Sequence, residues 1–313
     1  MSGKNVFLLN KLLKIIGKKN ESNLWIESWF REAYFRRNSN EARGITNFNK
    51  VINISNTIPI KCDIVWLQGR SLYFTLDDMS KNNKLIRFIL FFIRRSIKKR
   101  DKVLIDRLIG SSKRAIVNAR YLSAFYESLG YKIDDILYTP KNFDKFKPSG
   151  TGKKDYVLTY IGKETDIQPI LDIASMGVKI KGFGSKLPVG ISVSKVRQAI
   201  EYLGFVSDDE LVDLYSGALF TAFPFTEEPF GYVPIESMAC GTPVLSYNKE
   251  GPSETIVDGK TGWLVSSREE FVEKAMNIWK NGHNLKEDDC ISRASAFKTE
   301  NVVLSLMNLL NKQ

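Results

Sequence analysis

The second half of the chain alternates short β-type runs with helical segments, and this alternation narrows the possible folds more than any other feature of the 313 residues. Tyr156 to Ile161 reads as a strand that stops at Gly162. A helix over 167–175 and a strand over 178–181 lead into Gly182-Phe183-Gly184. A helix over 208–216 precedes a strand over 219–223, and a loop, a helix over 233–240 and a strand over 244–247 follow. Strands separated by helices at this spacing predict a parallel sheet covered on both faces.

The first half is less regular. Residues 5–19 read as an amphipathic helix, with basic residues set between apolar ones at three- and four-residue spacings. Short strands are expected over 51–55, 63–67 and 115–118, a long helix over 84–100, and a shorter helix over 120–128 that ends at Gly130. The stretch 146–154, rich in Pro, Gly and Lys, is the expected linker. A chain of this length can bury two cores, and 43% hydrophobic with 26% charged residues is the balance of a folded globular protein.

Charge divides the chain unevenly. Residues 1–150 hold 29 of the 46 Lys and Arg but only 13 of the 35 Asp and Glu, a net +16 against −5 for the remainder. The basic half therefore calls for an anionic partner: a membrane surface, a phosphorylated acceptor or a nucleic acid. Its segment 84–102 mixes aliphatic, aromatic and cationic residues. It reads either as a helix docking on anionic lipid or as a domain helix with a solvated cationic end. The apolar run 85–93 contains Arg87 and is about half the length a bilayer requires. No small-residue cleavage site follows the short run 6–9. A cytoplasmic protein, with a basic half suited to the inner face of the cell membrane, is the expectation. Three dispersed cysteines and a single histidine, His283, offer no disulfide framework, no zinc spacing and no imidazole base.

Chemistry concentrates between Pro224 and Gly262 (PFTEEPFGYVPIESMACGTPVLSYNKEGPSETIVDGKTG). Pro234 fits only the first turn of a helix, so the helix begins near Gly231, Tyr232 and Val233. At the carboxyl edge of a parallel sheet, a helix start of this kind suits a phosphate. Glu228 in the loop and Glu236 one turn into the helix can both face that crevice, and a carboxylate suits the vicinal hydroxyls of a sugar. The residues alone also allow a plainer account, with Glu236 favouring the helix dipole and Glu228 a solvated loop charge.

With seven residues between them, Glu228 and Glu236 resemble the paired glutamates of the retaining family 4 glycosyltransferases. Pro224, Phe230-Gly231, Met238-Ala239, Gly241-Thr242-Pro243-Val244, Gly251, Glu254, Gly259 and Gly262 extend the resemblance. So do 179–184, Gly204-Phe205-Val206 before Asp208-Asp209-Glu210-Leu211, Asn118 with 138–148, Ala296-Phe297 and, more weakly, 3–19. The resemblance implies an α/β chain of two Rossmann-like domains facing each other across a cleft (GT-B), the N-terminal one shortened. The implied domains are 1–148 on the acceptor side, 149–295 for the nucleotide sugar, and a closing helix over 296–313 packing back toward the first.

The implied activity is retaining transfer of a hexose from a nucleoside diphosphate sugar to a glycan or lipid-linked acceptor. Glu228 would orient the sugar and Glu236 hold the ribose, while Lys163 and the N–H groups of Tyr232 and Val233 meet the diphosphate. Gly162, Gly204, Val206, Phe230 and Gly231 complete the donor set; Gly3 and Asp77 are the acceptor-side candidates. No cofactor is implied, and with no Asp-x-Asp motif placed for catalysis a metal-independent reaction is expected.

Three departures stand out. The family's first strand would precede Gly3, which points to a misassigned start or a missing domain edge. Its diphosphate lysine falls near Gln168, leaving Lys163 and Lys186 as cations, and its N-terminal histidine is replaced, with Asp77 nearest in position. Two other readings therefore remain: a non-catalytic binding subunit on the same fold, and a transferase with a nucleic-acid acceptor, although no aromatic pattern or recognition helix for the latter is evident.

Overall fold

The computed structural model describes residues 49–71, 73–74, 77, 84–150, 152, 154–162, 165–185, 187–188, 191–225 and 230–311. The helix expected over 5–19, together with Gly3, Lys163, Lys186 and Glu228, lies outside the described residues. Two compact units divide the chain: residues 1–66 with 71–115, and residues 67–70 with 116–313. Among the described residues the strands form two parallel sheets, one of four and one of six.

The first unit holds β1 (Ile52–Asn53), most of β2 (Cys62–Leu67), α1 (Lys84–Gly110) and the start of β3 (Ser112–Val117). β1 runs parallel to β2 with Ile52 opposite Ile64. The helix α1 extends ten residues beyond the expected end at 100. The cationic run to Arg100 conceals a continuing period, because Leu104, Ile105 and Leu108 carry the buried stripe onward at helical spacing. Tyr73 fastens to this helix: its N–H donates to Asp101 at 3.0 Å, and its hydroxyl accepts from Arg94 Nε at 2.7 Å.

In the second unit come α2 (Arg120–Ser128), β4 (Asp135–Ile136), β5 (Val157–Tyr160), α3 (Ile167–Ser175), β6 (Ile180–Phe183), α4 (Val193–Ala199) and β7 (Glu201–Gly204). They are followed by α5 (Asp208–Ser216), β8 (Phe220–Phe223), α6 (Tyr232–Ala239), β9 (Val244–Tyr247), α7 (Glu250–Thr255) and β10 (Gly262–Val265). Three helices close the chain: α8 (Arg268–Asn281), α9 (Glu287–Ser295) and α10 (Thr299–Asn311). The large sheet runs β10-β9-β8-β5-β6-β7, with every neighbouring pair parallel.

Alternate side chains of this sheet enter two cores. Leu158, Phe223 and Val244 pack with Tyr215, Ile235, Met238 and Ala294 on one face; Val157, Phe220, Ala222 and Leu245 pack with Ile170, Ile173, Phe271 and Ile278 on the other. Central strands β8 and β9 are buried at all four positions, as a doubly covered parallel sheet requires.

Strands β4, β7 and β10 and helices α4, α7, α8 and α9 escape the sequence reading. Glu201–Gly204, leading into the expected loop 204–206, is an edge strand whose Glu201 and Leu203 are exposed, so it carries no continuous apolar run. Gly262, expected in a loop, opens strand β10. A Cβ at this position would stand 2.0 Å from the Val244 carbonyl oxygen, so the strands meet at this register only with glycine.

Capping is mostly local, with one exception. Ser207 and Glu210 form a capping box on α5, and the Asp166 side chain accepts from Gln168 N–H at the start of α3. Helix α2 begins at Ala119, which has no side-chain acceptor. Its first N–H groups, those of Arg120 and Tyr121, donate instead to the Glu254 carboxylate of α7 at 2.8 and 2.9 Å. Glu254→Ala is therefore expected to lose about 1–2 kcal/mol in urea denaturation; an unchanged midpoint and slope would remove Glu254 as the cap.

Candidate active site

Strand order in the large sheet reverses between β5 and β8. Sequence runs outward from β5 through β6 to β7 on one side, and from β8 through β9 to β10 on the other. At such a reversal the loops leaving adjacent strands diverge, and the crevice outside their carboxyl ends is where ligands bind in open parallel sheets. The loop after β5 begins at Ile161 and Gly162; the loop after β8 begins at Pro224 and Phe225, and Phe230 and Gly231 precede α6.

These two loops are tied together. Asp166 N–H donates to the Pro224 carbonyl at 2.8 Å, and Thr165 forms an antiparallel bridge with Phe225. Gly162 N–H donates to Thr165 Oγ1 at 2.7 Å. Aromatic rings support the junction, with Phe223 and Phe225 stacked at 4.1 Å and Tyr160 lying over Phe225 at 5.7 Å. Neighbouring Gly184 has φ 127°, and a Cβ there would stand 2.2 Å from the Ile161 carbonyl, so glycine is needed on both counts.

Helix α6 starts beside this junction. Gly231 is its left-handed N-cap at φ 81°, Tyr232 and Val233 present the first helical N–H groups, and Pro234 is the third helical residue. Phe230 is buried, stacked on Tyr138 at 5.6 Å and edge-on to Phe297, so its ring is committed to packing. A Cβ on Gly251 would stand 2.4 Å from the Phe230 carbonyl, which fixes how closely the start of α7 approaches the loop.

Glu236 lies one turn into α6 and is only 7% exposed. Its Oε1 is 2.7 Å from the Lys141 ammonium, and its Oε2 accepts from the fully buried Tyr215 hydroxyl at 3.2 Å. Burial raises the Glu236 carboxyl above its ordinary value, against the pull of Lys141 and Tyr215 toward the charged form. Burial also raises the Tyr215 phenol well above the usual range, and the neighbouring carboxylate adds to this, so Tyr215 keeps its proton to donate.

The structure thus brings Gly162, Phe230, Gly231, Tyr232, Val233 and Glu236 to the two loops and helix start of one sheet edge. Gly204 and Val206 follow the edge strand β7; Gly204 has φ 73° and accepts from Gly184 N–H at 2.7 Å. Asp77 belongs to the first unit, where it lies 3.6 Å from Arg94. His283 is structural: its Nδ1 accepts from Leu285 N–H, its Nε2 donates to the Leu219 carbonyl, and burial lowers its affinity for a second proton. Among the described residues no cluster of three or more His, Cys, Asp or Glu could hold a metal.

Lys141 and Tyr215 escape the sequence reading. Tyr215 occupies an inward position of α5 next to Leu211 and carries no signal that separates it from core. Lys141 does stand in the quoted segment 138–148, but only the fold shows that its ammonium reaches Glu236.

Comparison with known proteins agrees with this geometry. Residues 192–297 match the family model of glycosyl transferases, group 1. A probable sucrose-phosphate synthase of Thermosipho melanesiensis is 36% identical over 117 residues, covering 36% of this chain and 28% of that protein. A D-inositol 3-phosphate glycosyltransferase of Segniliparus rotundus is 27% identical over 192 residues, covering 52% and 41% respectively. The chain therefore spans well under half the length of these curated relatives. Among solved structures, sucrose-phosphate synthase from Thermosynechococcus elongatus superposes with a TM-score of 0.59 at 19% identity, over 67% of this chain and 61% of that one. Anabaena HepE, solved with UDP and glucose, gives 0.57 at 17% identity over 68% and 66%. The chain shares the GT-B fold of these structures, and its segment 192–297 matches the model of group 1 glycosyl transferases.

Because the folded chain holds the Glu236 proton more tightly than the unfolded chain, this group costs stability as pH rises from its ordinary value of 4.5 through the folded value. Tyr215→Phe removes a donor that favours the charged form. It is expected to lose about 1–3 kcal/mol at pH 8 and less as the pH falls toward 5. Urea titrations at both pH values test this, and a loss independent of pH would contradict the assignment of Glu236 as the buried charge.

Proposed function

We propose that the chain transfers a hexosyl residue from a nucleoside diphosphate sugar to a glycan or lipid-linked acceptor at the cytoplasmic face of a membrane, retaining anomeric configuration and using no metal. The observation that carries this reading is the meeting of three features at one sheet edge: the strand-order reversal, the start of α6 and the buried Glu236. Each suits a different part of the donor. A helix start favours the diphosphate, a crevice at the switch point accommodates the nucleoside, and a desolvated carboxylate accepts from vicinal ribose hydroxyls. Solved structures of similar fold carry such ligands: HepE with UDP and glucose, and pneumococcal GtfA with UDP and GlcNAc.

Glycosyl transfer breaks an anomeric C–O bond through a cationic sugar while negative charge grows on the departing diphosphate. The protein's task is to stabilise that charge with groups already in place. The N–H groups of Tyr232 and Val233 and the Lys163 ammonium are assigned to it, Glu228 to orienting the sugar, and Glu236 to the ribose. Expected outcomes follow for a thermal-shift screen and a transfer assay. A nucleoside diphosphate at about 100 times its Kd adds about 2.7 kcal/mol of stability and raises Tm. Donor hydrolysis or transfer is lost in Glu228→Ala and in Glu236→Ala and persists in EDTA. Activity unchanged in both variants, or no Tm response to any nucleoside diphosphate, would overturn the donor site.

The membrane assignment draws on α1. Phe88, Phe91 and Phe92 are 63%, 78% and 69% exposed and, at helical spacing, share a stripe with Arg95 and Lys99. Arg87, Arg94, Lys98 and Arg100 are exposed on the same helix. Aromatic rings on a cationic helix suit an anionic interface. Among the described residues no helix is long and apolar enough to cross a membrane. Co-sedimentation with vesicles rich in phosphatidylglycerol is expected to fall in Phe91→Ser/Phe92→Ser and in 0.5 M salt, roughly three times a physiological ionic strength. Equal binding to neutral vesicles, or no binding to either, would remove the membrane from the proposal.

A further inference from the structure

Lys141 is held in place by more than its charge. Its N–H donates to the Phe297 carbonyl at 3.3 Å, and the residue forms a parallel bridge with Lys298. Its ammonium lies 5.4 Å from the Phe146 ring and 5.2 Å from the Tyr232 ring. The Tyr232 hydroxyl in turn donates to the Pro140 carbonyl at 3.4 Å. The first residue of α6 and the segment around Lys141 thus fix one another, with the ammonium aimed at Glu236 Oε1. Among the described residues it is the one cation within salt-bridge distance of that carboxylate.

An ionised carboxylate offers about four lone-pair positions, two on each oxygen. Lys141 takes one on Oε1 and Tyr215 one on Oε2. One position remains on each oxygen, the pattern that two adjacent hydroxyl donors satisfy. A neutral carboxyl group would have turned one of its oxygens into a donor and could no longer accept from both hydroxyls. We propose that Lys141 is a positioning residue for nucleotide binding, holding Glu236 by charge as a two-oxygen acceptor turned toward the vicinal hydroxyls of the ribose. This rests on the reading of Glu236 as the ribose ligand.

The groups that bear on the charge of Glu236 are few. Lys141 comes from the segment following β4, Tyr215 and Asp208 from α5, and Cys240 from the end of α6. Asp208 and Cys240 do not favour a second negative charge, and burial opposes any. Lys141 supplies the opposing positive charge, and Tyr215 a neutral hydrogen bond.

The test is calorimetric binding of UDP and of 2′,3′-dideoxy-UDP between pH 5 and 9, with GDP and ADP and their dideoxy forms run in parallel. Wild type is expected to prefer the ribose form by about tenfold or more, with binding lost on the acid side as Glu236 is protonated. Lys141→Met is expected to erase most of that preference, leave dideoxy binding nearly unchanged and move the acid limb to higher pH. Lys141→Arg is expected to restore both preference and limb. Lys141→Gln keeps a donor without charge and serves if the Met variant does not fold; it is expected to behave as Lys141→Met. If Lys141→Gln keeps the full preference and the wild-type acid limb, or if ribose and dideoxy forms weaken equally, Lys141 has no positioning role. If wild type itself fails to discriminate, or Glu236→Ala leaves discrimination intact, the ribose assignment fails first.

Discussion

A six-stranded parallel sheet whose first and fourth strands in sequence lie side by side is the constraint on which the rest of the second unit depends. β5 and β8 are neighbours although α3, β6, α4, β7 and α5 intervene in sequence, so the chain must leave the sheet in opposite directions at their carboxyl ends. In open parallel sheets ligands bind outside such a reversal, and the described candidates Phe230, Gly231, Tyr232, Val233 and Glu236 lie at or just before the start of α6 beside it. The structure then closes the junction from below with stacked rings and a backbone hydrogen bond between Asp166 and Pro224, leaving helix-start N–H groups at its rim.

Burying Glu236 in this arrangement sets a second condition. A carboxylate removed from water is costly unless it is paired and hydrogen-bonded. Lys141 and Tyr215 meet that need from two different elements, one in the segment following β4 and one on α5. The same pairing connects three tasks: it keeps the charge tolerable, fixes the segment around residue 141 against α6, and leaves one acceptor position on each carboxylate oxygen. Glu254 does a related job at α7. Its carboxylate caps α2 through Arg120 and Tyr121 and accepts from the Tyr138 hydroxyl at 3.2 Å.

Much of this was legible from the sequence, for reasons that differ by element. β5, α3, α5, β8, α6 and β9 were found to within two residues, because buried parallel strands are short apolar runs and their helices carry caps at both ends. The start of α6 was legible because Pro234 permits only a helix start, and Gly251 and Gly262 beyond it mark close backbone approaches. Among the strands and site residues, what escaped depends on contacts distant in sequence. β7 and β10 are edge strands of four residues, β7 with polar and half-exposed positions and β10 opening on a glycine that Val244 alone explains. The extension of α1 beyond Arg100 was hidden by the cationic surface it carries. Lys141 and Tyr215 gain meaning only through Glu236, which lies 95 and 21 residues further along. At Gln168, where the resemblance sets the diphosphate lysine, the structure shows the side chain donating to Asp172 within α3 at 2.9 Å.

The account stands or falls on where a nucleotide sits. A crystal structure of the protein soaked with UDP measures this directly. The account predicts diphosphate oxygens within hydrogen-bonding distance of the Tyr232 and Val233 N–H groups and the ribose hydroxyls on the two oxygens of Glu236. A nucleotide bound elsewhere on the sheet, or a ribose that leaves Glu236 to Lys141 and Tyr215 alone, would contradict it.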